Sequence, residues 1–247
     1  MASNSIGFPF IELPAIDSTN NYAMALLHEG MAQHGTAVFT HHQQKGKGQR
    51  NKQWISQKDM NIAVSIILEP DGLDTSQLFF LSMTVAIAAR NFFNNYAGSD
   101  VSIKWPNDIY WRDRKAGGIL IENTLKGNTW KYAIAGIGFN INQTDFGELN
   151  NKAVSLKQIT GNSYQPVTMA KDLCVYVEKE WKTFLGNQKE ILNTYNGFLY
   201  KKNEKVKLKK DNRIFETVIK NVLSTGELVV QSSIEEHFKV GEIEWML

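Results

Sequence analysis

Cysteine is almost absent from this sequence, and its scarcity excludes two kinds of protein. Cys174 is the single cysteine among 247 residues, so neither a disulfide framework nor a metal site with several cysteine ligands can form. Such a chain suits a reducing compartment, and we expect it to be cytoplasmic. The first ten residues contain no lysine or arginine, which argues against a secretory signal.

Long apolar runs and a large excess of one charge are missing as well. Apolar stretches such as residues 62–68 fall far short of the roughly 20 residues that a membrane helix needs, so we expect no membrane span. The 27 basic residues nearly balance the 25 acidic ones, and a net charge of +2 does not favour a protein dominated by binding to nucleic-acid backbone. The length suits one large domain and one small one.

Hydrophobic periodicity predicts an α+β domain followed by a small β-domain. Helical spacing predicts helices over residues 20–29, 74–98, 167–185 and 188–195. Alternating or β-branched segments predict strands over residues 36–40, 61–68, 101–105, 109–111, 118–123 and 132–138, with a turn at 126–128. Beyond residue 197 the segments 206–208, 214–219, 228–231 and 238–240 alternate between turns, which is typical of a small β-barrel.

A basic segment between two predicted strands is the first functional candidate. Residues 43–60 carry five cations and two glycines, and glycines allow backbone N–H groups to approach an anion that nearby cations neutralise. The segment fits neither the Walker A pattern nor the dinucleotide-binding fingerprint. Since basic loops are more often solvated surface turns, the segment alone leaves both interpretations open.

Four further segments suggest a function for the basic loop. They are Asp17-Ser18-Thr19-Asn20, Lys104-Trp105-Pro106-Asn107-Asp108, Lys115-Ala116-Gly117-Gly118 and Gly136-Ile137-Gly138-Phe139-Asn140. With Gln43-Gln44-Lys45-Gly46-Lys47-Gly48 they closely resemble the biotin protein ligases, also called biotin–[acetyl-CoA-carboxylase] ligases, over nearly the whole chain. The resemblance implies the α+β biotin/lipoate ligase fold, a mixed sheet with packed helices, over residues 1–196 and an SH3-like β-barrel over 197–247.

The same resemblance implies a reaction. Such enzymes join the carboxylate of biotin to the α-phosphate of ATP and then pass the biotinyl group to a lysine of a biotin carboxyl carrier domain. A carboxylate and a polyphosphate repel one another, so the site needs cations and N–H donors. Mg²⁺ is expected with ATP. A homodimer stays open, and DNA binding is not expected because only 16 residues precede Asp17, too few for a helix-turn-helix domain.

The resemblance also assigns site residues. Lys115 is the candidate catalytic residue, and Asp108 is a candidate metal ligand, although a turn-capping role explains Asp108 equally well. Biotin binding is implied for Ser18, Thr19, Asn20, Gln43, Lys47, Gly48, Gln49, Lys115, Gly117 and Gly118. Adenylate binding is implied for Lys47, Arg50, Lys52, Trp54, Lys104, Asn107 and Asn140. The loop departs from the arginine-rich pattern of the family, since Lys47, Gln49, Asn51 and Lys52 replace common arginines or a glycine, and lysine lacks the bidentate fork of arginine.

Several alternatives stay open beside this interpretation. Lys115 could be an exposed hairpin lysine, Ser18 a helix cap and Trp54 a core residue. A lipoate–protein ligase-like acyltransferase would share the fold, and an inactive biotin-binding module would keep the pocket without the chemistry. We expect residues 45–58 to be mobile without ligand and to close over an adenylate.

Overall fold

The computed structural model describes residues 5–127 and 129–246. In chain order the strands are β1 (Phe10–Leu13), β2 (Ala37–Thr40), β3 (Gly46–Lys47), β4 (Gln53–Trp54), β5 (Asn61–Leu68), β6 (Val101–Lys104), β7 (Asp108–Trp111), β8 (Arg114–Lys126), β9 (Thr129–Asn140), β10 (Lys205–Lys210), β11 (Arg213–Val222), β12 (Leu228–Gln231), β13 (Glu235–Phe238) and β14 (Glu244–Trp245). The α-helices are α1 (Thr19–His28), α2 (Leu78–Ala97), α3 (Leu156–Thr160), α4 (Pro166–Gly186) and α5 (Gln188–Gly197).

The larger sheet has seven strands in the order β1-β2-β5-β9-β8-β7-β6. Strands β1 and β2 are parallel, and the other neighbouring pairs are antiparallel. Strand β5 lies near the centre, and all eight of its residues are buried because helices cover both faces of the sheet there. The mixed sheet places α1, β5, β8 and β9 around one region, where the site lies.

Two hydrophobic layers hold the larger sheet. On one face α2 packs against the sheet and against α4, with the rings of Phe92 and Phe93 against Phe139 at centroid distances of 5.5 and 5.1 Å. On the other face Ala23 and Leu26 of α1 pack on the sheet in a smaller apolar cluster. The apolar face of helix α1 thus fixes the helix on the sheet, and this packing also sets the position of its N-terminus.

The smaller sheet has five antiparallel strands in the order β13-β12-β11-β10-β14. It is attached to the turn between β6 and β7, because the indole N–H of Trp105 donates to the carbonyl of Gly226 at 2.9 Å. The Tyr195 hydroxyl of α5 donates to the carbonyl of Pro106 at 3.1 Å and secures the same turn. The predicted domain boundary at 196/197 falls at the end of α5 and stays a prediction.

The predicted fold class is confirmed, with local corrections. The predicted strands 118–123 and 132–138 are the middle parts of β8 and β9, and Asn128 of the predicted turn lies outside the described residues. The prediction of a strand at 238–240 was wrong: β13 ends at Phe238 and a further strand, β14, follows. Strand β1 was not predicted, because a four-residue edge strand carries too little alternation. No helix in residues 5–127 and 129–246 is long and apolar enough to cross a membrane.

Candidate active site

A cleft opens beside the N-terminus of α1, above β8 and β9. Most of the predicted site residues line it: Ser18, Thr19, Asn20, Gln43, Lys47, Gly48, Gln49, Trp54, Asn107, Asp108, Lys115 and Gly118. The fold thus brings together residues that lie up to a hundred positions apart in the sequence. One end of the cleft is formed by the uncharged polar groups of α1, and the other contains an ion pair.

Ser18 presents an unused hydroxyl to the polar end of the cleft. It occupies the N-cap of α1 in an extended conformation, but its side chain makes no capping hydrogen bond. Ser18 is 1% exposed, and its Oγ has no hydrogen-bond partner among the described residues. A buried polar group without a partner costs about 1–3 kcal/mol, so this hydroxyl fits a ligand that completes its hydrogen bonding.

Thr19 and Asn20 are held more firmly than Ser18. The Thr19 hydroxyl donates to Gln43 Oε1 at 3.1 Å, and the Thr19 backbone N–H donates to the same oxygen at 2.9 Å. Asn20 accepts a hydrogen bond from Ser65 Oγ at 2.5 Å and donates to Glu122 Oε2 at 2.7 Å. The Thr19 hydroxyl and the Asn20 amide therefore already have protein partners and shape the pocket.

Lys115 lies at the charged end of the cleft. Its Nζ is 2.6 Å from Asp108 Oδ1, and the two residues come from the neighbouring strands β8 and β7. Gly118 faces this pair, since a Cβ atom there would lie 3.3 Å from Lys115 Nζ and 3.4 Å from Asp108 Oδ1. Asn107 is bound to the strand through its amide, which donates to the carbonyl of Ile119 at 2.5 Å. A lysine in such a position can receive an anionic ligand in place of the aspartate.

Trp54 packs across the cleft on the backbone of β9. A Cβ atom at Gly138 would lie 2.6 Å from a ring carbon of Trp54, so only glycine allows this contact. Lys115 Nζ lies 5.9 Å from the centre of the Trp54 ring. The indole Nε1 is buried and has no hydrogen-bond partner in the described part of the chain. Trp54 is therefore a wall of the cleft with one unused donor.

The basic loop forms a small hairpin of β3 and β4 rather than an irregular segment. Its Arg50 and Lys52 line an adjoining groove instead of the cleft itself. Arg50 has a φ of +53°, the left-handed conformation, and its side chain reaches the turn between β13 and β14 of the smaller sheet. A Cβ atom at Gly241 would lie 2.9 Å from an Nη atom of Arg50. The loop therefore contacts both sheets.

Three further predicted site residues line neither the cleft nor the adjoining groove. Gly117 faces away from it, because a Cβ atom there would lie 2.5 Å from the ring of Phe139. Asn140 is buried, and its amide donates to the carbonyls of Lys115 and Val154, both at 3.3 Å. Lys104 lies between two rings, with its Nζ 5.0 Å from the centre of Tyr110 and 5.3 Å from that of Trp245. These three residues contact the strands and rings around the cleft without lining it.

The described residues build no metal centre at the site. No cluster of three or more His, Cys, Asp or Glu side chains that could hold a metal occurs in the described ranges. The carboxylate of Asp108, the predicted metal ligand, is engaged with Lys115. The donor set thus offers at most a single carboxylate to Mg²⁺, which prefers an octahedron of oxygen ligands.

Sequence reasoning missed residues that build the cleft from below. Ser65 and Glu122 bind Asn20, and Gly136 makes room for its side chain, since a Cβ atom there would meet Asn20 Oδ1. One signal was present: Ser65 is a lone hydroxyl within the apolar segment Asn61–Leu68. A polar residue in a fully buried strand needs a partner, and this requirement could have identified it.

The fold and the cleft define a class: α+β proteins that place a pocket for an uncharged polar group next to lysines suited to an anion. The family model described as the biotin/lipoate A/B protein ligase family matches residues 12–140. The chain belongs to this family.

Individual relatives agree with this assignment. The bifunctional ligase/repressor BirA of Bacillus spizizenii is 32% identical over 183 residues, which cover 73% of this chain and 56% of that protein. The biotin–[acetyl-CoA-carboxylase] ligase of Paracoccus denitrificans is 32% identical over 161 residues, covering 62% of this chain and 65% of that protein. The chain spans about half the length of the ligase/repressor relatives.

A solved structure shares the fold over almost the whole chain. The biotin protein ligase of Aquifex aeolicus, in complex with biotin and ATP, has a TM-score of 0.79 and 24% sequence identity. The match covers 95% of this chain and 97% of that one. The likeness therefore includes the smaller sheet as well as the larger one.

Proposed function

We propose that this protein is an ATP-dependent biotin–protein ligase. A biotin carboxylate oxygen attacks the α-phosphorus of ATP, the bond to pyrophosphate breaks, and biotinyl-5′-AMP forms. The amine of an acceptor lysine then attacks the acyl carbon, AMP leaves, and the amine loses a proton. The biotin ligases among the relatives support this proposal.

One geometric feature supports the proposal most directly. A single cleft contains a lysine suited to an anion and a buried hydroxyl that has no hydrogen-bond partner among the described residues. Ser18 Oγ and the Gln43 amide suit the ureido ring of biotin, which needs hydrogen-bond donors and acceptors in a tight pocket. Lys115 offsets the negative charge that collects as the carboxylate meets the α-phosphate, because a fixed cation in a partly buried site stabilises such charge.

The remaining residues have supporting roles in this proposal. The Trp54 ring offers a flat surface for the adenine, and Lys47, Arg50 and Lys52 attract the phosphates. Any Mg²⁺ enters with ATP, where it neutralises phosphate charge, since the described residues supply no cage for it. The acceptor is a biotin carboxyl carrier domain, and the reaction takes place in the cytoplasm. Dimer formation and the absence of DNA binding stay predictions.

The test is biotin-dependent exchange of labelled pyrophosphate into ATP, with wild type, Lys115→Ala and the control Lys131→Ala. Lys131 is exposed on β9, away from the cleft, so this variant controls for the loss of a lysine. We expect exchange in wild type and Lys131→Ala, and a loss of at least a hundredfold in Lys115→Ala, as is typical when a group that stabilises transition-state charge is removed. Unchanged exchange in Lys115→Ala would contradict its catalytic role.

A second arm separates the alternative functions. The same assay is run with lipoate in place of biotin, and biotin binding is measured by calorimetry. Exchange with lipoate alone would replace the proposal with a lipoate–protein ligase-like acyltransferase. Biotin binding without exchange would replace it with an inactive biotin-binding module. Exchange with biotin, followed by biotin transfer to a carrier-domain lysine in a mass spectrum, supports the ligase.

A further inference from the structure

Glu122 connects two parts of the site that belong to different elements. It lies on β8, and the two oxygens of its carboxylate have different partners. Oε2 accepts a hydrogen bond from Asn20 Nδ2 of α1 at 2.7 Å. Oε1 lies 3.5 Å from Lys47 Nζ of the basic loop. One side chain therefore links the polar pocket to the loop.

The Asn20 side of this link is rigid. The side-chain oxygen of Asn20 accepts a hydrogen bond from Ser65 Oγ at 2.5 Å, and the side chain fits against Gly136, where no Cβ atom has room. Asn20 itself is 4% exposed. A side chain held on three sides cannot follow Glu122, so it fixes the carboxylate in place.

The Lys47 side of the link is weak. The side chains of Lys47 and Glu122 are 43% and 34% exposed. An ion pair with this exposure contributes at most about 1 kcal/mol, because water screens it and long side chains lose entropy. A contact of this strength holds the loop without locking it, which suits a loop that has to open for substrates.

The charge of Glu122 is unexpected where it lies. The groove beside the cleft is lined by the cations Lys45, Lys47, Arg50 and Lys52, and Glu122 is the one carboxylate among its described lining residues. A negative charge there opposes the binding of any anion. Such a charge is useful there if it positions Lys47 while the site is empty and releases Lys47 when an anion enters.

We propose that Glu122 is a positioning residue that holds the basic loop through Lys47 and connects its position to the biotin pocket through Asn20. In the ligand-free protein the carboxylate is the counter-ion of Lys47. An entering phosphate competes with Glu122 for the same ammonium group, so Glu122 lowers the affinity of the empty site for anions. The effect on ATP use rests on the proposed function, whereas the effect on the loop does not.

The test uses Glu122→Gln, because the glutamine oxygen can still accept from Asn20 while the charge is lost. We expect faster amide hydrogen exchange in residues 45–54 of the ligand-free variant, since the loop loses its attachment. Inorganic pyrophosphate should bind a few-fold more tightly, because an ion pair of up to about 1 kcal/mol no longer competes for Lys47. In the exchange assay KM for ATP should fall while kcat stays within about twofold, a split that general destabilisation would not produce.

Matched variants control the test. Glu216→Gln removes an exposed carboxylate 3.8 Å from Lys207 on the smaller sheet and should change none of these quantities. Lys47→Met breaks the same ion pair from the other side and should accelerate exchange in the same residues, which keeps the test valid if Glu122→Gln folds poorly. In the double variant the acceleration should not exceed that of either single variant.

Exchange in residues 45–54 that is equal in wild type, Glu122→Gln and Lys47→Met would overturn the proposal. Unchanged pyrophosphate affinity in Glu122→Gln would also contradict it. Neither measurement needs catalytic activity, so a protein that fails to use biotin would refute the proposed function without affecting this result.

Discussion

Replacing Lys104 with methionine should stabilise the protein at neutral pH. Lys104 lies behind the cleft, and burial lowers the pKa of its ammonium group from 10.5 to about 8, although nearby Asp108 opposes the shift. At about 1.4 kcal/mol for each pKa unit, the charge costs about 3 kcal/mol in this position. The rings of Tyr110 and Trp245, 5.0 and 5.3 Å from Nζ, attract the cation but do not offset this cost. Lys104→Met should therefore raise the free energy of unfolding at pH 7 by up to about 3 kcal/mol.

The difference between the pKa values of Lys104 in the unfolded and folded states determines how the stability of the wild type changes with pH. The unfolded chain binds a proton at Lys104 below pH 10.5, but the folded protein does so only below about pH 8. Between these values the unfolded state holds more protons, so the free energy of unfolding of the wild type rises with pH. The advantage of Lys104→Met should accordingly be full below pH 8 and shrink towards zero near pH 10.5.

Urea unfolding at pH 7, 8.5 and 10 measures the difference between variant and wild type. Comparing the two proteins at each pH cancels the titration of groups that they share. Lys207→Met serves as the control for the loss of a lysine as such, because Lys207 is an exposed lysine of β10, with 62% of its side chain exposed. A wild type that is more stable than Lys104→Met at pH 7, or a difference that does not change with pH, would refute the reasoning.

Two further substitutions separate ligand binding from packing. Ser18→Ala should leave the thermal stability equal or slightly higher, since the lost hydroxyl has no hydrogen-bond partner in the described part of the chain. Calorimetry should nevertheless show about three- to tenfold weaker biotin binding, and unchanged affinity would contradict the role of this hydroxyl. Gly138→Ala should lower the free energy of unfolding by about 1–3 kcal/mol and alter tryptophan fluorescence, because its Cβ would displace Trp54. An unaltered melting curve and spectrum would show that Trp54 does not pack there.

Much of the fold was predictable because its main elements have a clear period. The buried stripe of α2 and the alternation of the central strands identify helices and strands without reference to the rest of the chain. The short edge strands β1 and β14 depend on pairing with distant partners, which local sequence does not encode. Ser18, Thr19 and Asn20 follow one another at one helix end, so their common position in the cleft could be expected from the sequence, and their binding of biotin stays a prediction.

The predicted residues that do not line the cleft differ from the others in side-chain direction. Consecutive residues of a strand point to opposite faces, so positions 117 and 118 cannot both point into the cleft. The structure directs Gly118 to Lys115 and Gly117 to the ring of Phe139. Lys104 and Asn140 belong to the same sequence patterns as cleft residues, but their side chains turn towards Trp245 and towards backbone carbonyls. A sequence motif does not show which of its neighbouring residues direct their side chains to the same face of the sheet.

The contact of Arg50 with Gly241 connects the basic loop to the smaller sheet. A Cβ atom at position 241 would meet the end of the flexible Arg50 side chain, which can move aside, whereas the φ of +110° at Gly241 itself favours glycine. A chimera that joins this larger sheet to the smaller sheet of a relative would change the surface that Arg50 contacts, and we expect the basic loop to become more mobile in it. The smaller sheet thus supports a loop that belongs to the larger one.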